Sequence, residues 1–262
     1  MPMGHRDAHL NLIDSSRQLF ELDPGVEIEA GEGWLFGAGS SSHPTIANAA
    51  FRADDDLDPG ELIRRARDFF GGRNRGFALW ARGGAPEDDD LIATAEEAGL
   101  KQVYAMPEMI LERRAEERPL PDGAELVKVA APTEATDFWR VATAAYAELG
   151  FPAEIFGAYE DHTGFGAGNV VAFLAHLDGR PAAIAMTIVS HGVAGIYWVG
   201  NVKEVRGLGL GWALTATAIN AGLDLGAGTV SLQASPMGEG LYRRMGFETV
   251  YEYRLFASPA PA

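Results

Sequence analysis

The sequence predicts an α/β fold with a mixed sheet in its C-terminal half. Short apolar runs of strand length alternate there with stretches of helical periodicity, and glycines and prolines separate them. A cluster of glycines stands at one predicted strand-to-helix junction. The chain has 262 residues, of which 47% are hydrophobic and 22% charged, so it can bury a sizeable core in one large or two small domains.

The predicted elements after residue 123 follow the order β-α-α-β-β-β-α-β-α-β. Strands are expected at 126–130, 170–177, 182–189, 195–199, 229–234 and 249–256, because these runs are apolar or alternate with a period of two. Helices are expected at 133–149, 210–225 and 239–245. In the second of these helices, the apolar residues Leu210, Leu214, Ala218, Ala221 and Leu225 recur at helical spacing.

Residues 112–124 are the best candidate for a linker, because charged residues, two prolines and a glycine follow one another there without an apolar stripe. This boundary divides the chain into domains at 1–123 and 124–262. The two halves also resemble each other. A helix-then-strand pattern at 60–70 and 76–81 is repeated at 209–225 and 229–234, and Gly99-Leu100 corresponds to Gly246-Phe247. We therefore predict two related lobes.

The composition excludes several kinds of chemistry. Without cysteine, the chain can have no disulfide, thiolate nucleophile or cysteine-ligated metal, and its isolated histidines do not support a metal site. The formal charge of −16 disfavours a nucleic-acid partner and favours a cationic one. We interpret the acidic runs at 54–56 and 88–90 as solvated loop surface. No segment fits a signal peptide or a membrane helix, so we expect a cytoplasmic protein without a membrane partner.

The segment 196–211 carries the clearest chemical signal. It reads IYWVGNVKEVRGLGLG, which indicates a strand, a bend and a glycine-rich helix start. The first N–H groups of a helix have no partner inside it, and the helix dipole adds about half a positive charge there, so such a start attracts phosphate. Gly207, Gly209 and Gly211 remove side chains that would hold a diphosphate away, and Arg206 adds a positive charge.

Spacing separates three phosphate-binding motifs. A Walker loop would need Gly-Lys-Ser/Thr, and the dinucleotide motif G-x-G-x-x-G fails because its third glycine comes one residue early. What remains is Arg206-x-x-Gly209-x-Gly211, which resembles the coenzyme A loop of the GNAT superfamily of N-acetyltransferases, Gln/Arg-x-x-Gly-x-Gly/Ala. Residues 235–247 are similar to the closing segment of that superfamily, in which a short helix with a tyrosine ends in Gly-Phe. Ser235 stands where many members have an asparagine.

The resemblance covers roughly residues 126–256 and implies a GNAT fold there. The N-terminal lobe would be a related or degenerate GNAT-like lobe, non-catalytic because it has no Arg-x-x-Gly-x-Gly. The resemblance also implies acetyl-coenzyme A as cofactor, in a V-shaped gap where the strands 195–199 and 229–234 part. The implied cofactor-binding residues are Val199, Gly200, Asn201, Val202, Arg206, Gly207, Leu208, Gly209, Leu210, Gly211 and Ser235.

The reaction implied by the resemblance is direct attack of an amine on the thioester. An alkyl amine with a pKa of about 10.4 is neutral only about once in 2,500 molecules at neutral pH, so its proton must leave first. The departing thiolate gains from a proton donor, for which Tyr242 is the candidate, although an aromatic residue on a helix can also serve packing alone. Candidates for the base are Glu154, Glu160, Asp161 and His162, although residues of this kind in such a segment are more often solvated loop residues.

We expect an N-acetyltransferase that acts on a small-molecule or peptidyl primary amine. The sequence leaves the identity of that amine open, and also leaves open whether the chain forms a homodimer. The alternative is a non-catalytic module that binds or senses acyl-coenzyme A. A third hypothesis is an enzyme that takes its acyl group from tRNA, which the negative charge disfavours.

Overall fold

The computed structural model describes residues 3–44, 46–157, 159, 165 and 168–260. The chain forms two compact units, and neither is one continuous stretch of sequence. The first unit comprises Met1–Ser15, Ile110–Leu232 and Gly240–Phe247. The second unit comprises Ser16–Met109, Gln233–Glu239 and Glu248–Ala262.

Helices and strands alternate along most of the chain. The helices are α1 (Met3–Phe20), α2 (Pro59–Gly71), α3 (Asp89–Glu97), α4 (Pro132–Ala147), α5 (Glu154–Gly157), α6 (Leu210–Asp224) and α7 (Glu239–Met245). The strands are β1 (Glu27–Gly31), β2 (Trp34–Ala38), β3 (Asn48–Arg52), β4 (Phe77–Gly83), β5 (Lys101–Leu111), β6 (Ala124–Lys128), β7 (Val170–Leu177), β8 (Arg180–Ser190), β9 (Val193–Asn201), β10 (Thr229–Gln233) and β11 (Glu248–Ser258). Every element predicted after residue 123 is present, with ends that differ by two residues at most.

In the first unit, strands lie side by side in the order β10-β9-β8-β7-β6. The last four are antiparallel, whereas β10 is parallel to β9 because α6 connects these two strands as a crossover helix. The turn between β7 and β8 has positive φ at both Asp178 (49°) and Gly179 (75°), as a tight two-residue hairpin requires. Both α4 and α6 pack against β8 and β9.

The beginning of α1 is attached to the turn between β8 and β9. The buried amide of Asn11 donates to the carbonyl oxygens of Ile188 (3.1 Å) and Val193 (3.0 Å), and its oxygen accepts from the hydroxyl of Tyr197 (2.8 Å). One turn later, Asp14 lies 2.8 Å from the ring of His191. Asn11 therefore ties α1 to main-chain groups of both β8 and β9.

The second unit repeats part of the order seen in the first. Its strands follow the order β1-β2-β3-β4-β11-β5, and β3 is parallel to β4 with α2 between them, as β9 is to β10 with α6 between them. The ends of α3 and α7 also match: Gly99 (φ 82°) and Gly246 (φ 96°) follow them, and the next amide bonds back to Ala95 or to Tyr242. The repeat of helix and strand predicted from the sequence is thus present in the backbone.

A buried charge network occupies the second unit at the ends of β3 and β4. The Arg82 guanidinium contacts Asp88 at 2.8 Å and Asp55 at 2.6 Å, and Arg52 contacts Asp88 at 2.9 Å and Asp90 at 2.8 Å. Burial works against the charge of Arg82, but the two carboxylates outweigh it and raise its pKa. The interpretation of both acidic runs as solvated surface is therefore wrong for Asp88, which is 1% exposed.

Replacement of Asp88 by Ala should lower the free energy of unfolding by about 3–5 kcal/mol, because two buried guanidinium groups would lose their shared counter-charge. Asp90, whose side chain is 57% exposed, is the matched control, and its replacement by Ala should cost about 1 kcal/mol or less. Urea denaturation followed by tryptophan fluorescence measures both. Equal losses of unfolding free energy for the two variants would contradict the conclusion that Asp88 belongs to a buried charge network.

Candidate functional site

The ladder between β9 and β10 ends early. Only three residue pairs join the strands, from Thr229 opposite Val193 to Ser231 opposite Gly195. Beyond that point β9 continues through six more residues, 196–201, without a paired residue on β10 among the described part of the chain. Such a strand edge offers unpaired N–H and C=O groups, which an extended ligand can bind as an added strand would.

A β-bulge lies on the same part of β9. Gly200 pairs with Ile184 and Tyr197 with Met186, so two residues, Trp198 and Val199, stand opposite one residue of β8. Trp198 has a positive φ of 51°, which is uncommon for a bulky residue. Bulges bend and twist a strand and change the direction of the groups that follow. Here those groups belong to Val199, Gly200 and Asn201.

Aromatic rings hold the bulge in place. The buried indole of Trp198 lies 5.1 Å from the ring of Tyr146, 5.3 Å from that of Phe156 and 5.9 Å from that of Trp139, measured between centroids. Edge-to-face contacts of this kind each contribute about 0.5–1.5 kcal/mol beyond the buried area. The aromatic residues of α4 and α5 can therefore offset the backbone strain of Trp198, which is about 1–3 kcal/mol.

Glycines let two neighbours approach the end of β9. A Cβ added to Gly200 would lie 2.8 Å from the Cβ of Ala145 on α4, and one added to Gly211 would lie 3.4 Å from the side-chain nitrogen of Asn201. The amide of Val202 donates to the carbonyl oxygen of Ala182 at 2.9 Å. Val202, predicted to bind the cofactor, therefore has its N–H engaged by the neighbouring strand.

The glycine-rich segment forms an open loop followed by a helix. A short 3-10 helix (Lys203–Val205) leads to Gly207 (φ 82°) and Gly209 (φ 90°), and α6 begins one residue later. A Cβ at either glycine would meet no atom within 4 Å among the described residues, so the space beside this part of the loop is open. Gly207 and Gly209 are needed for their backbone conformation, whereas Gly211 lies within α6, where a Cβ would be in van der Waals contact with Asn201.

The start of α6 presents a row of unpaired amides. The first bond along the helix is donated by Ala213 to Gly209 at 3.1 Å. No acceptor in the described part of the chain bonds the N–H groups of Gly209, Leu210, Gly211 and Trp212, and the first turn contains no acidic residue. These amides and the helix dipole fit a diphosphate. The amides of Arg206 and Leu208 are less available, because they form long bonds of 3.3 and 3.4 Å inside the loop.

Arg206, the positively charged residue predicted for this loop, already contacts a carboxylate. A guanidinium nitrogen of Arg206 lies 3.5 Å from the carboxylate of Glu148, at the C-terminal end of α4. The contact is long and half-exposed, so it contributes about 1 kcal/mol or less and can be exchanged for a phosphate.

Tyr242 lies on α7 and is buried, with its ring 5.9 Å from that of Phe247. Leu241, next to it, approaches the first turn of α6, since its Cδ2 would be 3.6 Å from a Cβ on Gly211. Burial raises the pKa of Tyr242 well above its ordinary value, so the phenol stays protonated at neutral pH. The phenol therefore keeps a proton that it can donate in a hydrogen bond.

The other candidates divide into three groups. The Ser235 hydroxyl accepts from the amide of Gly238 at 3.2 Å, so it supports the turn before α7. Glu154 is exposed, and the other three candidates for a base, Glu160, Asp161 and His162, lie outside the described residues.

In the part of the chain that the structure describes, no cluster of three metal-ligating side chains occurs, and no helix is long and apolar enough to cross a membrane.

A cavity of about 310 Å³ lies away from this loop. It is lined by residues at the start of α4 and β7, among them Ala131 and Val170, and by Leu225 at the end of α6. The 15 residues of α6 separate it from the glycine loop by about 22 Å. This cavity is therefore separate from the glycine loop.

Residues 112–240 match the family described as "Acetyltransferase (GNAT) domain". The chain carries a GNAT acetyltransferase domain. This match includes the glycine loop and the edge of β9, and it indicates acyl transfer from an acyl-coenzyme A. No curated protein matches the sequence significantly.

Solved structures agree with the fold of the GNAT domain and extend over nearly the whole chain. A GCN5-related N-acetyltransferase from Kribbella flavida has 19% identity and a TM-score of 0.72, with 97% of this chain and 96% of that one covered. A tandem GNAT protein from the clavulanic acid biosynthesis pathway has 15% identity and a TM-score of 0.65, with 95% and 96% covered. A GCN5-related N-acetyltransferase from Sphaerobacter thermophilus has 14% identity and a TM-score of 0.62, with 89% and 83% covered. At these identities the similarity concerns the fold.

Gly209 and Gly211, the two glycines of the Arg-x-x-Gly-x-Gly motif, should respond differently to replacement by alanine. Gly209→Ala places a side chain in the left-handed region and should cost about 1–2 kcal/mol of unfolding free energy. Gly211→Ala has helical backbone and room for its Cβ, and the helix propensity of Ala offsets the close contact with Asn201, so its effect should stay within about 0.5 kcal/mol. Thermal and urea unfolding of both variants measure this difference. A larger loss for Gly211→Ala would contradict the assigned roles.

Proposed function

We propose that this protein is an N-acetyltransferase that transfers the acetyl group of acetyl-coenzyme A to a primary amine of a small or cationic acceptor by direct attack. The observation that carries the proposal is the row of unpaired amides at the start of α6, which faces open space beside a strand whose ladder has ended. The match of residues 112–240 to a GNAT domain supports it. Catalysis is assigned to 124–262, and its cytoplasmic location stays a prediction from the sequence.

The proposed roles of the residues follow from their positions. The amides of Gly209, Leu210 and Gly211 bind the diphosphate, with Arg206 as a movable cation. The edge of β9 from Val199 to Asn201 binds the amide groups of the pantetheine arm, as an added strand would. Acetyl-coenzyme A supplies an activated acyl carbon as its thioester. The surroundings of the bound cofactor are expected to include Val202, Gly207, Leu208 and Ser235.

Tyr242 is proposed to donate to the sulfur atom as it leaves. Its raised pKa makes it a weak acid but a permanent hydrogen-bond donor, so it stabilises developing negative charge before any complete proton transfer. The acceptor amine must lose a proton before it attacks. The acidity of the chain, at −16, favours the approach of a cationic amine.

The lobe at 1–123 is proposed to be non-catalytic. At the position that the glycine loop occupies in the first unit, between a strand and its crossover helix, the second unit has Asp54, Asp55 and Asp56. These carboxylates would repel a diphosphate. Ala95 stands where the matching helix of the first unit has Tyr242, so the lobe also has no equivalent of the proposed acid.

Acetyl-coenzyme A should bind the wild-type chain in calorimetry, and two isosteric variants test where. Asn and Asp both tolerate the positive φ of Gly209, but only Asp adds a negative charge. Gly209→Asp should weaken binding at least tenfold more than Gly209→Asn, because it places a carboxylate among the amides. Equal affinities of the two variants for acetyl-coenzyme A would show that the diphosphate does not bind at this loop.

Turnover is tested by release of free thiol across a panel of primary amines. An enzyme releases coenzyme A with at least one amine, whereas binding without thiol release on any amine indicates an acyl-coenzyme A sensor. Mass spectrometry of the acceptor then shows a gain of one acetyl group on nitrogen. The proposal of N-acetyl transfer fails if the acceptor is acetylated on oxygen, or if the acetyl group is recovered only as free acetate.

Tyr242→Phe should lower kcat about tenfold or more with a good amine, while the affinity for acetyl-coenzyme A stays within about twofold. The ring and its contact with Phe247 remain, and only the donated hydrogen bond is lost. Steady-state kinetics and calorimetry give the two values. The assignment of Tyr242 as the acid would be abandoned if kcat were unchanged.

A further inference from the structure

The segment 112–118, named the strap below, packs along α6. Near its start, Arg114 contacts Asp224 at the C-terminal end of α6, at 2.6 Å. Further along, the buried side chain of Asn220 accepts from the amide of Ala115 at 3.1 Å and donates to its carbonyl oxygen at 3.2 Å. The strap therefore runs from the end of α6 towards its beginning. Within the segment 112–124 that was predicted as a linker, residues 114–118 are thus in contact with a helix.

The strap ends beside the first turn of α6. The carbonyl oxygen of Glu116 accepts from the indole N–H of Trp212 at 2.8 Å, and the guanidinium carbon of Arg118 lies 3.4 Å from the centroid of a Trp212 ring. Trp212 is the third residue of α6, and side chains on a helix lean towards its N-terminus. The indole and the stacked guanidinium are thus directed towards the glycine loop.

The charge of Arg118 is unbalanced at this place. Its side chain is exposed, and no carboxylate of the described residues lies within 4.0 Å of it, whereas Glu117 is engaged by Asn220 at 3.0 Å. The N-terminus of a helix disfavours cations, and the first turn of α6 has no acidic residue to compensate. Stacking on the indole holds the guanidinium there. An anion bound between the start of α6 and Arg118 would pair with the unbonded amides and with the guanidinium.

We propose that Arg118 binds a phosphate group of coenzyme A, as a second cation of the site beside Arg206. This inference rests on the proposed function, because it takes the start of α6 to be the diphosphate site. A planar guanidinium that is already stacked presents its N–H groups with little loss of side-chain freedom, and it matches two phosphate oxygens at once. The phosphate is either part of the diphosphate or the 3′-phosphate of the ribose.

Calorimetry with three ligands tests the inference: coenzyme A, dephospho-coenzyme A, which has no 3′-phosphate, and pantetheine, which has no phosphate. The variants are Arg118→Gln, Arg118→Lys and, as matched control, Arg114→Gln. Arg114 is the same residue type on the same strap, and its partner Asp224 is 12 residues, or about 18 Å, along α6 from Trp212.

Arg118→Gln should raise the Kd for coenzyme A about tenfold, Arg118→Lys less, and Arg114→Gln not at all. A loss that disappears with dephospho-coenzyme A supports contact with the 3′-phosphate, and a loss that persists supports contact with the diphosphate. Pantetheine should bind wild type and Arg118→Gln equally. Thermal unfolding of each variant verifies that it is folded.

Four results would overturn the inference. Arg118→Gln could bind coenzyme A as tightly as a binding-competent wild type does. Arg114→Gln could lose as much affinity as Arg118→Gln, which would indicate a general effect of the strap, or the loss could extend to pantetheine, which would indicate a change of shape. A wild-type chain that binds no coenzyme A overturns the proposed function first, and this inference with it.

Discussion

The early end of the parallel ladder between β9 and β10 is the constraint on which the candidate site depends. Because the strands separate after three pairs, β9 keeps a free edge, and the bulge at Trp198 directs that edge. The crossover helix follows β9 after a short loop, and Gly211 in its first turn lies beside Asn201, so its unpaired amides come next to the same edge. A strand edge and a helix start, each unable to satisfy its own main-chain groups, are thus brought together by connectivity alone.

The second unit shows that this connectivity does not by itself make an anion site. It has a parallel pair, β3 and β4, with α2 between them, but Asp58 accepts from the amide of Glu61 at 2.8 Å and so satisfies one group at the start of α2. Arg52 and Arg82 meet carboxylates near the ends of the same strands. One order of elements is therefore stabilised in two ways, by a buried ion network in one unit and by open main-chain groups in the other.

The elements and the loop could be predicted from the sequence, because apolar periodicity and the spacing of Arg206, Gly209 and Gly211 are local signals. The bulge at Trp198 and the strap could not. A tryptophan in a positive-φ conformation is stabilised by rings on α4 and α5, and the strap is held by the side chain of Asn220, so both depend on residues far along the chain. The burial of Asp88 was hidden for the same reason, since its partner Arg52 is 36 positions away.

The pairing of β11 with β4 has a consequence for the synthesis of the chain. Ser258 lies opposite Phe77, so residues 181 positions apart (258 − 77) must meet before this part of the second unit is complete. Until residues 248–258 leave the ribosome, β4 has one edge without this neighbour, and it carries consecutive buried residues. An apolar strand edge of this kind pairs readily with other chains. The edge of β4 is thus exposed to such pairing until β11 covers it.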